Sequence, residues 1–370
     1  MTLASVAFLI AIAFDPSAAL GWIGKIAIYV LILGLLIVFH ELGHMVVAKR
    51  VGVTVEEFAF GFGPRLFCIE RGGTKYTVNL LPLGGFCRMV GEDTADDGSA
   101  DPGNFQHKPL YARALIILAG PFFNFILAAI LFAILGTVIG QQVTTDVVAT
   151  VKAGTPAEAV HLQKGDEIVG LDGRAFRSGD ELVTYIHGRP NTAMAVDVRR
   201  GNSILHFKIK TASQDFAGKP LGMIGFTPVL KSERLSLGEG VLWGLAQVPA
   251  TIELQWFGII QVIASHDASA LHGPVGIARI VAEAESYGIG SVIDIAATLS
   301  VILGMFNLLP IPALDGGRLA FFLVELVRGR RVNPEKEGLV HLTGFALIMV
   351  LLAFITYHDI ALWISGKGPF

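Results

Sequence analysis

The run His40-Glu41-Leu42-Gly43-His44 sets two imidazoles and a carboxylate at a spacing with a chemical use. Residues four apart share one face of a helix, so both histidines can grip a single zinc ion while Glu41 stands beside them as a base. The chemistry this suits is metal-assisted hydrolysis, with water as nucleophile. Its setting sharpens the reading. The motif closes a stretch from Ile26 to Ala48 that opens with fourteen uncharged residues. Ionisable side chains inside a spanning helix cost about 2.5–3.5 kcal/mol each, and a metal in a polar cavity supplies the compensation that three of them need.

A catalytic zinc takes three protein ligands and leaves one position to water. The third ligand must come from another helix at the same depth. Asp315 is the strongest candidate, in Asn307-Leu308-Leu309-Pro310-Ile311-Pro312-Ala313-Leu314-Asp315-Gly316, where the prolines break the helix and a turn can aim the carboxylate inward. Cys68, Cys87, His341 and His358 are weaker contenders. The cysteines read as reduced thiols with a packing role, and His358 falls near the outer end of the last span.

The elements that position these groups are membrane helices. Of 370 residues, 53% are hydrophobic and 16% charged, with a mean hydropathy of +0.62, against about 25% charged in soluble domains. The uncharged runs predict four spans, at about 26–48, 114–139, 289–310 and 339–360. The stretch 241–264 carries Gln247, Pro249, Glu253, Gln255 and Gln261, and reads as an amphipathic interfacial helix within a linker region 231–288. Four spans place the loop from Lys49 to Arg113, with eight Lys/Arg, on the same side as the turn from Asp315 to Gly338, with five. The excess of positive charge makes that side cytoplasmic and puts both termini and residues 141–230 outside. Thr2 to Phe14 is apolar but too short to span and is given no function. The acid-rich stretch from Glu92 to Asp101 reads as a solvated loop. A net charge of −3 with no basic stripe offers nothing to nucleic acid, and no G-x-x-x-x-G-K-[ST] loop offers a site for nucleotide.

Residues 141–230 have the composition of a small α+β domain. Strand-like runs fall at Asp146–Val151, Glu167–Leu171, Ala193–Arg199 and Ile204–Lys210, with a helix at Asp180–His187. The pieces Ala153-Gly154-Thr155-Pro156-Ala157, Leu162-Gln163-Lys164-Gly165-Asp166-Glu167-Ile168 and Asp172-Gly173 resemble a PDZ domain of the bacterial protease type. Such a domain either captures a peptide by strand addition or serves as a steric gate.

Taken in order, HELGH at His40, Gly61-Phe62-Gly63-Pro64, Pro82-Leu83-Gly84-Gly85-Phe86, Ala119-Gly120-Pro121-Phe122-Phe123-Asn124, the PDZ-like pieces and Asn307 to Gly316 resemble the site-2 protease group of intramembrane zinc metalloproteases. The likeness is to its bacterial PDZ-containing branch, the regulator of sigma-E protease type. Well-known members carry two tandem PDZ modules, whereas this chain has room for one. The resemblance implies a multi-pass inner-membrane enzyme with its PDZ domain on the periplasmic side. It implies Zn2+ as cofactor, held by His40, His44 and Asp315, with Glu41 as catalytic base. It implies single-span membrane proteins as substrates, such as an anti-sigma factor or signal-peptide remnants. It also implies a membrane-dipping β element at about 75–88, where Tyr76, Thr77, Val78, Gly84 and Gly85 meet an extended substrate, and substrate roles for Asn307 and Asn124. Two rival functions use the same residues: a zinc transporter, which usually shows repeated halves not found here, and a non-proteolytic PDZ adaptor, which has no need of an intact motif.

Overall fold

The computed structural model describes residues 16–92, 101–216, 219–265 and 273–364. The apolar stretch Thr2 to Phe14 and most of the acidic loop after Glu92 lie outside them. The chain divides into two compact units, residues 1–134 with 240–370, and residues 135–239.

In the first unit, α1 (Pro16–Arg50) carries the HELGH motif in its C-terminal third and ends on Lys49 and Arg50, cations that suit the negative end of a helix dipole. It leads into β1 (Val55–Arg71) and β2 (Thr74–Met89), an antiparallel pair. Each strand bends in its middle, at Gly61 and Gly63 with φ of 80° and 87°, and at Gly84 with φ of 118°, values open to glycine and costly for other residues. The bends create four short segments that pair in the order 65–71, 74–79, 55–60, 85–89. Around the bends and on the 65–71 segment, Phe62, Leu66, Phe67, Ile69, Leu80 and Leu83 are exposed. Next comes α2 (Leu110–Ile134). It crosses α1 where Gly43 meets the Ala119 backbone so closely that a Cβ would collide with the Ala119 carbonyl, the small-residue approach typical of membrane helices.

The second unit holds β3 (Gln141–Val151), α3 (Pro156–Ala159), β4 (Glu167–Leu171), α4 (Gly179–His187), β5 (Ala193–Arg200), β6 (Ser203–Lys210), β7 (Ala212–Phe216), β8 (Lys219–Met223) and β9 (Phe226–Glu233). Its main sheet runs β6-β5-β4-β3-β9, with β7-β8 as a separate hairpin. The four strand-like runs and the helix lie where alternation and turn residues put them, and their apolar faces (Val148, Ile168, Leu171, Leu182, Val196, Val198, Ile209) form one buried core. The sheet extends by β9, so the unit reaches further along the chain than 141–230.

Back in the first unit come α5 (Leu237–Ser265), α6 (Pro274–Ser286), α7 (Ile289–Asn307), α8 (Asp315–Arg328) and α9 (Pro334–Ile364). Among the described residues five helices are long and apolar enough to cross a membrane, α1, α2, α5, α7 and α9. The sequence predicts four. The additional one, α5, is the least apolar of the five and is the stretch expected to be amphipathic. Near its start, Gly244 lies against Ala129 and Ala133 of α2. The N-terminus of α6 sits at the far end of α9, where the Gly276 N–H donates to Asp359 at 2.9 Å. Helix α8 is pinned at the other end of the unit. Arg113, 3% exposed at the start of α2, pairs with Glu325 at 2.6 Å and lies over the Phe322 ring.

Candidate metal centre

The HELGH segment is helical throughout, so His40 and His44 project from one face of α1. Asp315 opens α8 immediately after the Leu308–Leu314 turn. Gly316 and Gly317 let that first turn of α8 press on the carbonyls of Leu308, Leu309 and Ile311, where a Cβ would not fit. The result is convergence. His40 Nε2 and His44 Nε2 are 3.2 Å apart, and Asp315 Oδ2 lies 3.1 Å from the first and 3.4 Å from the second. Ligands at about 2.0–2.1 Å from a tetrahedral zinc stand about 3.3–3.4 Å from each other. The three atoms match that edge length, and they form the only group of this kind among the described residues.

The surroundings fit a cation as well. Both histidines are buried, at 7% and 6% exposure, and Asp315 Oδ2 is buried without a hydrogen-bond partner. His44 Nδ1 donates to the Ile116 carbonyl at 2.8 Å, which leaves Nε2 its lone pair. Asn124, fully buried, lies 3.2 Å from His40 Nδ1, while its own Oδ1 has no partner. Turning that amide over gives the His40 Nδ1–H an acceptor and satisfies the orphaned oxygen in one step. Gly120 keeps the space open, since a Cβ there would strike His44 Nε2 and approach His40 Cε1 to 2.8 Å.

A family model, Peptidase family M50, matches residues 28–351. The chain belongs to peptidase family M50. This is the site-2 protease group that the motifs resemble. Relatives agree over nearly full length. The Zinc metalloprotease RasP of Geobacillus kaustophilus is 31% identical across 90% of this chain and 96% of its own. The Regulator of sigma-W protease RasP of Bacillus subtilis is 30% identical across 92% and 99%. Among solved structures, the PDZ domain of the SdrC-like protein of Listeria monocytogenes is 35% identical over 24% of this chain and 94% of its own, with a TM-score of 0.21.

Within this M50 chain, Glu41 does not turn toward the histidines alone. Its Oε2 accepts the Cys87 N–H at 3.1 Å, so the acid borders the 85–89 segment, whose other side is taken by 55–60. This corrects the placement of the edge. Tyr76, Thr77 and Val78 pair with Phe58, Ala59 and Phe60 on one side and with Ile69, Cys68 and Phe67 on the other, so their backbone has no free side for a substrate strand. Lys49 Nζ donates to the Tyr76 hydroxyl and Thr77 donates to Glu57. Gly84 and Gly85 lie instead at the open segment, against Ile37 and Val38 of α1. The structure also puts Asn124 behind His40 rather than on an accessible surface. Asn307 closes α7 with its amide donating to the Leu303 carbonyl. None of the weaker ligand contenders joins the three converging atoms. Cys87 is buried, and burial, followed by the charge of Glu41, pushes its thiol well above the ordinary range. Sequence reasoning missed Gly120 and the His44–Ile116 bond. Gly120 stands in the Ala119–Asn124 run that carries the resemblance, but nothing in that run tells that it faces the histidines.

Proposed function

We propose that this chain is an intramembrane zinc metalloprotease of regulated proteolysis, cutting a peptide bond within or beside the transmembrane helix of a single-span substrate. The observation that carries the reading is the meeting of Asp315 with His40 and His44, which lie in a helix apolar enough to span. Those three residues hold the metal. Bound there, zinc acts as a Lewis acid and makes water a nucleophile near neutral pH. Glu41 accepts the proton of the attacking water and returns it to the leaving amine, its carboxylate fixed by the Cys87 amide. Asn124 orients His40, and the Ile116 carbonyl orients His44. A substrate helix hides its peptide bonds, so it must unwind before attack. The 85–89 segment supports that step by offering, next to Glu41, an edge that no further strand pairs with and on which an extended substrate pairs beyond the Cys87 amide. Asn307 is the candidate for steadying the substrate backbone.

The proposed topology has four spans in a bacterial inner membrane, with the 135–239 unit and both termini on the periplasmic side. Two placements support leaving α5 out of the count. Its start rests on α2 about 20 Å beyond the Gly120 level, and α6 begins about 27 Å beyond the His341 level of α9, at 1.5 Å per helical residue. α2 and α9 both run away from α8, so both ends of the α5 segment lie on the same side of the metal centre. The eight steps from Ser265 to Gly273 reach at most about 29 Å, too short to return across about 30 Å of hydrocarbon. In the second unit, a cavity of about 220 Å³ lined by Val183, Ile186, His187, Met223, Ile224 and Phe226 suits a peptide end in a PDZ-like groove.

The test is cleavage of reporter transmembrane segments by wild type and Glu41→Gln, with zinc measured in both. A zinc-loaded Glu41→Gln that has lost cleavage supports the reading, and one that cleaves normally overturns it. A second arm varies the ectodomain of the reporter. Cleavage independent of its length removes any steric-gate role for the outer unit.

A further inference from the structure

The turn that delivers Asp315 is not self-supporting. Residues Leu308 to Leu314 form neither helix nor strand, and Ala313 within it has a φ of 79°, in the left-handed region where a Cβ is disfavoured. A non-glycine residue persists there only when its surroundings impose the conformation. Helix α9 provides them. His341 Nδ1 accepts the Ala313 N–H at 2.9 Å. Gly344, on the same face, leaves room for Pro312, whose carbonyl oxygen would stand 2.7 Å from any Cβ at that position. Because Nδ1 accepts, the imidazole is neutral with its proton on Nε2, and Nε2 meets no acceptor nearer than Glu337 Oε1 at 4.0 Å. The ring also lies 5.6 Å from that of Phe321 in α8. One side chain therefore touches the turn before Asp315 and the helix after it.

We propose that His341, a residue outside the ligand set, is a positioning residue for the metal centre: its bond to the Ala313 amide sets the turn that carries Asp315 to the two histidines. This rests on the zinc reading above, so the experiment separates the two. Zinc affinity is measured on the purified full-length protein by competition with a chromophoric chelator, in wild type, Asp315→Ala, His341→Asn, His341→Gln and His341→Leu. The oxygen of Asn falls near the place of Nδ1, whereas that of Gln falls near Nε2. His341→Asn is expected to hold zinc within about threefold of wild type, and His341→Gln and His341→Leu to weaken it about tenfold or more, the range of supporting-residue losses at metal sites. Adding Ala313→Gly to His341→Leu is expected to recover part of the loss, because glycine takes positive φ unaided. If Asn and Gln variants bind zinc alike while Asp315→Ala has lost it, the positioning role is wrong. If Asp315→Ala binds like wild type, the zinc reading itself fails. Should His341→Leu not fold, the comparison of Asn with Gln, alike in polarity, still decides.

Discussion

Gly120 has no side chain to contribute, and that absence is what leaves space beside the two imidazoles. A methyl group there would occupy the volume beside His44 Nε2, so Gly120→Ala is expected to weaken zinc binding by at least about tenfold with the helices intact, read by chelator competition and circular dichroism. Asn124→Ala, which removes the partner of His40, is expected to cost about 10–100-fold in zinc affinity in the same assay. These two residues mark where the sequence stops being readable. The shared face of His40 and His44, with Glu41 beside it, was legible because residues one helical turn apart carry their geometry in their spacing. Asp315 was legible because a carboxylate beside two prolines in apolar sequence needs a reason. Asn124 and Gly120 act through an interhelical distance, which no periodicity in α2 encodes, and His341 acts on a strained amide that only the folded turn contains.

For the elements, alternation and turn residues placed β4, β5, β6 and α4 of the second unit, since a half-buried sheet writes itself into the chain as a period of two. The doubling of β1 and β2 was not readable. Both segments 74–79 and 85–89 carry strand-forming residues, and pairing order alone decides which keeps an open edge. Composition also leaves α5 undecided, being apolar enough to span yet rich in amides. Labelling decides it: Ser236→Cys and Ser265→Cys, at its two ends, are both expected to react with an impermeant maleimide added from the side of the second unit. Labelling of Ser265→Cys only from the opposite side would make α5 a fifth span. In β4's approach, Asp166 is held by a two-pronged pairing with Arg200, at 2.7 Å on each oxygen, and by the Gln163 amide. The Arg200 bonds, ahead of the opposing effect of burial, keep its carboxyl below the usual range. A lowered folded-state value means that this stabilisation is complete above the ordinary Asp range near 3.8 and disappears as pH falls through the folded value. Asp166→Asn is expected to cost about 1.5–3 kcal/mol at neutral pH and to flatten the acid limb of the stability profile, followed by hydrogen exchange of β4 and β5 amides.

For the whole molecule, the proposed ligands come from distant parts of the chain, His40 and His44 from the first helix and Asp315 from the eighth, with the entire second unit inserted between them in sequence. Contacts of Arg113 with Glu325 and of Glu92 with Arg318 join the two membrane segments directly. The second unit leaves and re-enters at neighbouring points, because Gln141 pairs with Glu233 across β3 and β9 and the Leu235 amide donates to the Gly136 carbonyl. Removing 142–232 and closing the gap with a two-residue hairpin turn is therefore expected to leave zinc affinity within about twofold of wild type, measured against a chelator, since supporting residues that matter cost tenfold or more.

That stapled root has an evolutionary reading. A module clasped at its base by one ladder can be dropped, exchanged or stacked in series while the catalytic half keeps every one of its own contacts. A chain sharing this membrane half is then free to vary what is inserted there with no change in the residues that converge on Asp315.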